Sequence, residues 1–391
     1  MLLQGSAGLF NDFYIYWAAA SILNAGGDPY DLPRLVATLD AAGVHILPGT
    51  GYSYPVLFAE LVRPLALVAP EPAALIFTAS SLVGLAIGIS LLVGGLETPG
   101  WPAVLIAGLG GGLLEPVTGT LYFGQANLFV LPVLALAWRG VAPGAAVAVA
   151  TAVKLYPVTA LLALLAQGRR QVRELAAAVG LMILLILLPL ALRPRDRFFG
   201  HSVGLLGPDE FWSNQSVNGF VSRLAIPSAS AQPPFPGLAV TPVMVLFVLL
   251  LLALTIVVLW RAHGEPFHAC FALALWFGIV AAPRNSLWNF APILVCFASG
   301  WKLARDRPRL LVLLCAAAVL LEVQGEANVL RDWIYGSSPT LVLLASCGLY
   351  GALLLGAVLA RELLVPSPPP RLTRPNLSAS LQEERDHQVP V

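Results

Sequence analysis

The chain has 391 residues, 58% of them hydrophobic and only 11% charged, with a mean hydropathy of +0.81. Soluble domains carry about 25% charged residues, so this balance excludes a water-solvated surface over most of the molecule. It indicates an all-α polytopic membrane protein, and the net charge of +1 suggests no nucleic-acid partner.

The first nine residues lack the basic region and long apolar core of a signal peptide. The stretch Phe10 to Leu32, FNDFYIYWAAASILNAGGDPYDL, then sets Asp12 among aromatic residues and closes on Asp28-Pro29-Tyr30-Asp31. Asp12 precedes a helical-looking run and reads either as a helix N-cap or as a functional carboxylate. Asp28 and Asp31, flanking a proline, read as turn residues. Segment 54–69, bounded by Pro55 and Pro70, reads as a short dip into the membrane, and Glu60 and Arg63 are spaced for an ion pair on one helical face.

Apolar runs of about 17–25 residues cross the hydrocarbon core as helices. Candidates lie at 72–96, 101–121, 124–138, 143–166, 173–192, 240–260, 267–283, 288–303, 309–323 and 338–360. Lys and Arg in short loops stay on the cytoplasmic side. Arg169, Arg170 and Arg173, Arg261, the Lys302–Arg309 cluster and Arg361 therefore turn loops 193–239, 283–288 and 324–337 outward. Arg139 and the 169–173 cluster both prefer the cytoplasm, yet only 143–166 separates them. Two half-helices meeting at Lys154 and Pro157 and returning to the same side resolve this. The alternative is one kinked span with Arg139 outside. Loop 193–239 is too long for a plain turn, and its FWSNQSVNGFVSRL stretch has the mix of an ordered segment. The chain thus divides into a transmembrane domain, 1–365, and a proline-rich, disordered cytoplasmic tail, 366–391.

Ionisable and amide groups in or beside spans are costly and count as functional candidates. They are Asp12, Glu60, Glu115, Gln125, Asn127, Lys154, Asn214, Gln215, Arg284, Asn285 and Asn289. Interhelical hydrogen bonding accounts equally well for Gln125 and Asn127. Asn214-Gln215-Ser216 also fits the N-glycosylation pattern. Trp288 suits an interface anchor, whereas Arg284 on an outward loop calls for an anion. Lys154 has no acidic neighbour in sequence, so a partner or bound anion is expected. The four cysteines sit in apolar runs without CxxC spacing and read as small buried hydrophobes. The scattered histidines give no metal site. Taken together, these residues describe a polar, outward-facing cavity with carboxylate, cation, amides and aromatics, suited to an anion and to a sugar.

DFYIYWAAASILNAGGDPYD (12–31), YSYPVLFAELVRPLALV (52–68), GQANLFVLPVLALAW (124–138), AVATAVKLYPVTALLALLAQGRRQ (148–171) and NQSVNGFVSRL (214–224) occur in this order. With these motifs the chain resembles glycosyltransferase family 87, polyprenol-phosphate-mannose-dependent alpha-mannosyltransferases of GT-C architecture. The resemblance implies a GT-C helical bundle of about 10–12 transmembrane helices, with a re-entrant segment and an ordered outer loop, in the plasma membrane. It implies an inverting hexosyl transfer from a polyprenyl-phosphate sugar to a lipid or glycan acceptor at the outer face, with no cofactor. By the match Asp12 is the general base; Lys154 and Arg284 are the cationic candidates for the donor phosphate, and Tyr16, Gln125, Asn127, Asn214, Gln215, Trp288 and Asn289 are the candidate substrate contacts. The sequence departs from the family twice. Family members carry a full span before the Asp loop, whereas eleven residues precede Asp12, which implies an upstream start or a lost span. A later histidine motif appears only as APRNSLWNFAP, with Asn289 or Phe290 near the histidine position. A transporter or flippase for a lipid-linked sugar would present a similar cavity, although no internal repeat is visible. A non-catalytic scaffold leaves Asp12, Lys154 and Arg284 unexplained.

Overall fold

The computed structural model describes residues 8–47, 50–96, 100–193, 198, 206–227, 233–262, 265–304, 307–326 and 339–365. Among these the architecture is helical throughout, with a single isolated bridge between Asn214 and Ser286. In chain order the helices are α1 (Asn11–Asn24), α2 (Leu32–Ala41), α3 (Val56–Val62), α4 (Pro70–Gly94), α5 (Trp101–Gly108) and α6 (Glu115–Phe123). Next come α7 (Asn127–Trp138), α8 (Pro143–Val153), α9 (Leu161–Ala166), α10 (Val172–Met182) and α11 (Leu188–Leu192). The last six are α12 (Val217–Ala225), α13 (Val240–Arg261), α14 (Phe267–Ala281), α15 (Ile293–Ala304), α16 (Pro308–Glu326) and α17 (Cys347–Leu364).

Five described stretches are long and apolar enough to cross a membrane: Pro70–Gly94, Ala103–Phe123, Val172–Leu192, Val240–Arg261 and Leu343–Leu364. Those at 172–192 and 240–261 expose most of their apolar side chains, among them Ile183, Leu184, Leu192, Leu249 and Leu250. Such a surface is compatible with lipid and not with water. By contrast α14 and α15 are almost entirely buried and form the centre of the main core with α7 and α17. Each is also short. A 12-residue helix rises about 18 Å, less than the roughly 30 Å hydrocarbon core, so the expected spans at 288–303 and 124–138 become the shorter α15 and α7.

Several expected spans are interrupted, each where the sequence weakens the helix. The run 101–121 breaks at Gly110-Gly111-Gly112, where the poorest ordinary helix former is tripled ahead of Pro116. The segment 172–192 widens into a π-turn at Ile183–Leu187, just before Pro189 removes an N–H from the ladder. The run 143–166 divides at Lys154, which adopts an extended conformation (φ −138°, ψ 136°) between α8 and a 3-10 turn at Tyr156–Ala160. The expected dip at 54–69 is α3 followed by a 3-10 turn at Leu65–Leu67. Its Glu60 and Arg63 pair at 2.8 Å, and Arg193 joins Glu60 at 3.0 Å. The expected ordered segment of loop 193–239 contains α12, capped by Ser216 Oγ accepting from Gly219 N. The tail at 366–391 and most of loop 324–337 lie outside the described residues. One cysteine departs from expectation: Cys315 is exposed on α16, while Cys270, Cys296 and Cys347 are buried.

Gly84 and Gly88 lie four apart on α4 and face α7; a Cβ on Gly84 would stand 2.5 Å from the Leu128 carbonyl oxygen. Small residues spaced this way let helix backbones approach in lipid. Gly84→Leu should therefore force α4 and α7 apart. The expected cost is about 1–3 kcal/mol, read as an earlier loss of monodisperse protein when the detergent-extracted chain is heated.

Candidate active site

Asp12 lies in the first turn of α1 but does not cap it. The cap position is Phe10, held in the left-handed region (φ 57°, ψ 18°) without a side-chain cap bond. Phe10 N donates to Tyr122 O at 2.8 Å, which ties the entry of α1 to the end of α6. A bulky residue keeps such a conformation only when its surroundings impose it, and such positions gather at functional sites. The capping reading is thereby replaced. Asp28 and Asp31 are turn residues as expected: Asp28 Oδ1 accepts from Tyr30 N, and Asp31 Oδ1 caps α2 through Arg34 N.

Gln125 is placed by the end of α6. Gly124 takes φ 67°, Gln125 N donates to Thr120 O at 2.9 Å, and Gly124 N donates to Leu121 O at 3.3 Å. These are the paired bonds of a Schellman C-cap. A side chain at 124 would also meet Phe13, since a Cβ there would stand 2.7 Å from the Phe13 Cβ. The glycine thus lets α1 press against the turn and brings Gln125 to Asp12.

The polar side chains then form one network. Asp12 Oδ1 accepts from Asn11 Nδ2 at 2.9 Å, and Asp12 Oδ2 accepts from Gln125 Nε2. Gln125 Oε1 receives Tyr54 OH at 2.5 Å, Tyr16 OH at 3.1 Å and Lys154 Nζ at 3.2 Å. Lys154 Nζ also donates to Asn289 Oδ1 at 2.5 Å and lies 5.4 Å from the Tyr54 ring centroid, within cation–π range. Asn127 Nδ2 donates to Trp288 O at 2.8 Å and reaches Asn289 Oδ1 at 3.4 Å. Phe123 packs on the Trp288 ring at 4.1 Å between centroids, and Trp212 approaches Trp288 at 6.3 Å. Asp12, Phe123, Trp288 and Asn289 are partly exposed, whereas Tyr16, Tyr54, Gln125, Asn127 and Lys154 are buried behind them.

Burial pushes the Asp12 carboxyl above the usual carboxylate range; the hydrogen bonds from Asn11 and Gln125 and the Lys154 charge oppose that shift. Its place in the first turn of α1 also favours the ionised form. A carboxyl shifted by burial beside a buried lysine marks this cluster as a candidate for proton transfer.

The structure separates the remaining candidates from this network. Asn214 and Gln215 are fully buried, and their amides are committed to the protein itself. Asn214 Nδ2 bonds Asp209 and Pro283 O, and its Oδ1 receives Ser216 and Asn285 N. Gln215 Nε2 donates to Trp212 O and Ala345 O, and its Oε1 accepts from Leu349 N. These side chains fasten the 209–216 loop to the 283–286 loop and to α17, and a buried, bonded Asn214 is closed to a glycan. Asn285 does similar work through Ile279 O. Arg284 is exposed and stands 3.8 Å from Asp209. Glu115 opens α6, where its backbone N donates to Glu322 Oε2 at 2.7 Å. Glu60 belongs to the arginine pair described above. Among the described residues, no three His, Cys, Asp or Glu side chains come together as metal ligands.

Tyr54 and Asn11 are the members that sequence reasoning missed. Tyr54 stood within the quoted YSYP stretch, and only the packing of that segment against α1 reveals its hydroxyl on Gln125. Asn11 Oδ1 receives Leu47 N at 2.8 Å, joining Asp12 to the 44–47 segment. Between that segment and α2 lies an apolar cavity of about 200 Å³.

Fold and site together define a polytopic helical membrane protein with a carboxylate–amide–ammonium cluster beside aromatic faces. The chain matches glycosyltransferase family 87 over residues 52–283 and belongs to that family. It is similar to a polyprenol-phosphate-mannose-dependent alpha-(1-2)-phosphatidylinositol mannoside mannosyltransferase of Mycobacterium tuberculosis, with 28% identity over 305 residues covering 69% of this chain. The chain spans about two thirds (66%) of that curated relative's length. No solved structure gives a significant match.

Proposed function

We propose that the protein transfers mannose from a polyprenyl-phosphate donor to a lipid-linked or glycan acceptor at the outer face of the membrane, inverting the anomeric carbon. Family membership supports glycosyl transfer, and the relative's donor supports the polyprenyl-phosphate sugar. The observation that carries the assignment of roles is the Asp12–Gln125–Lys154 chain of bonds. Asp12 takes the proton of the acceptor hydroxyl as its oxygen bonds the anomeric carbon. General-base help of this kind contributes about 10²–10⁴-fold. The bond from the anomeric carbon to the phosphate oxygen breaks, and its electron pair leaves on the polyprenyl phosphate. That phosphate gains one negative charge, so it needs a cation rather than a proton donor. Lys154 supplies the cation beside the base, whereas Arg284 stands apart from it, paired with Asp209, and would reach the phosphate only from the loop side. The partly exposed Trp288 and Phe123, packed on one another, offer an aromatic surface against which a sugar ring can stack, and Asn289 offers an amide for its hydroxyls.

The test is incubation of membranes containing the protein with radiolabelled polyprenyl-phosphate-mannose. Label is expected in a new glycolipid or glycan, and mass spectrometry of lipids from a deletion strain should show that product missing. Label that only changes leaflet would instead identify a transporter and end this reading.

A further inference from the structure

We propose that Gln125 is a positioning residue, not a substrate contact, and that its single amide locks the Asp12 carboxylate and the Lys154 ammonium into one fixed relation. The inference rests on the reading of Asp12 as general base.

Gln125 is 5% exposed, and both ends of its amide are used inside the protein. The Nε2 end donates to Asp12 Oδ2, while the Oε1 end accepts from Tyr54, Tyr16 and Lys154. A carbonyl oxygen has two lone pairs; Tyr54 and Lys154 fill those of Oε1, while the Tyr16 hydroxyl has its closer partner in Tyr54 OH at 2.8 Å, so no capacity is left for a sugar hydroxyl. The orientation is also fixed. Turned over, the amide would set its oxygen against the Asp12 carboxylate and its NH₂ against the Lys154 ammonium, and both contacts would be repulsive. Each end is anchored from a different part of the chain. Gln125 follows the Schellman turn of α6, Asp12 enters α1, Lys154 ends α8, and Tyr54 precedes α3. The second arm on Asp12, from Asn11, leaves the two oxygens of the carboxylate each with one donor. A carboxylate held at both oxygens keeps its remaining lone pairs in a fixed orientation, as a base needs. The titratable groups facing Asp12 are Tyr16 on its own helix, Tyr54 from the 50–55 segment, and Lys154 from the end of α8.

Two variants test this with polyprenyl-phosphate-mannose as donor and extracted membrane glycolipid as acceptor. Gln125→Met keeps the volume and removes both hydrogen-bonding ends. Misplacing a reacting group by about an ångström costs about 10²-fold, so kcat should fall by that order. Donor KM should stay within about threefold, because uniform substrate binding is untouched. The acid limb of kcat/KM should move to higher pH, since a bond to the ionised carboxylate is lost. Gln125→Glu keeps an acceptor for Tyr54 and Lys154 but sets a carboxylate against Asp12. The two groups then share a proton, and the acid limb should rise by about one pH unit or more. A methionine variant with unchanged kcat, or with its loss confined to KM, would overturn the proposal. So would a glutamate variant with an unshifted limb, and that variant decides the matter if methionine yields no monodisperse protein. Asp12→Asn separates the two readings. If it is inactive while both Gln125 variants behave as wild type, only the positioning role fails; if it turns over normally, the assignment of the base fails.

Discussion

Asp12→Asn is expected to abolish sugar transfer while leaving the protein folded. Asparagine keeps the volume and an oxygen for the Asn11 or Gln125 donor, but it cannot accept the acceptor's proton. The expected loss in kcat is about 10²–10⁴-fold, the range for a missing general base, with donor KM close to wild type. Purified wild type should also show how far the surroundings have moved this carboxyl. Burial raises it, so the ionised base is lost as pH falls through a value above the ordinary aspartate figure of about 3.9. The acid limb of kcat/KM should therefore lie above that figure, with activity present above the limb and lost below it. An asparagine variant with wild-type turnover in the radiolabelled-donor assay would rule out Asp12 as the base.

How legible the fold was depends on the kind of signal each segment carries. Unbroken apolar runs, such as 72–96 and 240–260, became α4 and α13 almost residue for residue, because a lipid-facing helix must be apolar along its whole length. The breaks at 110–112 and at Lys154 were visible as a glycine run and as a lysine near a proline. What they do to the path was not, since a break is set by what packs against it. Hence the two readings of 143–166 divided over topology, while the structure contributes the extended residue at 154. The site was legible by residue type more than by role. Asp12, Gln125, Asn127, Lys154 and Asn289 were singled out because polar groups near spans are costly, and the fold gathers them with Tyr16 and Trp288. Asn214 and Gln215 met the same criterion for another reason, since a buried amide bonded to backbone carbonyls has the same sequence signature as one facing a ligand. Tyr54 escaped notice because a tyrosine in an apolar segment reads as packing until its hydroxyl finds a distant partner.

Lys154 should be the second residue on which turnover depends. In Lys154→Ala the phosphate that leaves with an added negative charge meets no cation beside the base. Removing one donor to a developing oxyanion costs about 10²–10³-fold in kcat. The substitution also strips a donor from Asn289 Oδ1 and from Gln125 Oε1, and leaving a buried acceptor unmade costs about 1–3 kcal/mol. Reduced thermal stability should therefore accompany the loss of rate, and it must be separated from it. Ethylammonium in the assay buffer does so: it is small enough to replace the truncated side chain, and it restores a charge without restoring the covalent link. Partial recovery of kcat in Lys154→Ala, with no effect of ethylammonium on Asp12→Asn, is the expected pattern. Lys154→Arg should recover less than the native lysine, because a planar guanidinium cannot point one compact charge at both Gln125 and Asn289. If Lys154→Ala transfers sugar at the wild-type rate, the leaving phosphate draws its stabilisation from elsewhere, and Arg284 in the 283–286 loop becomes the cation to substitute next.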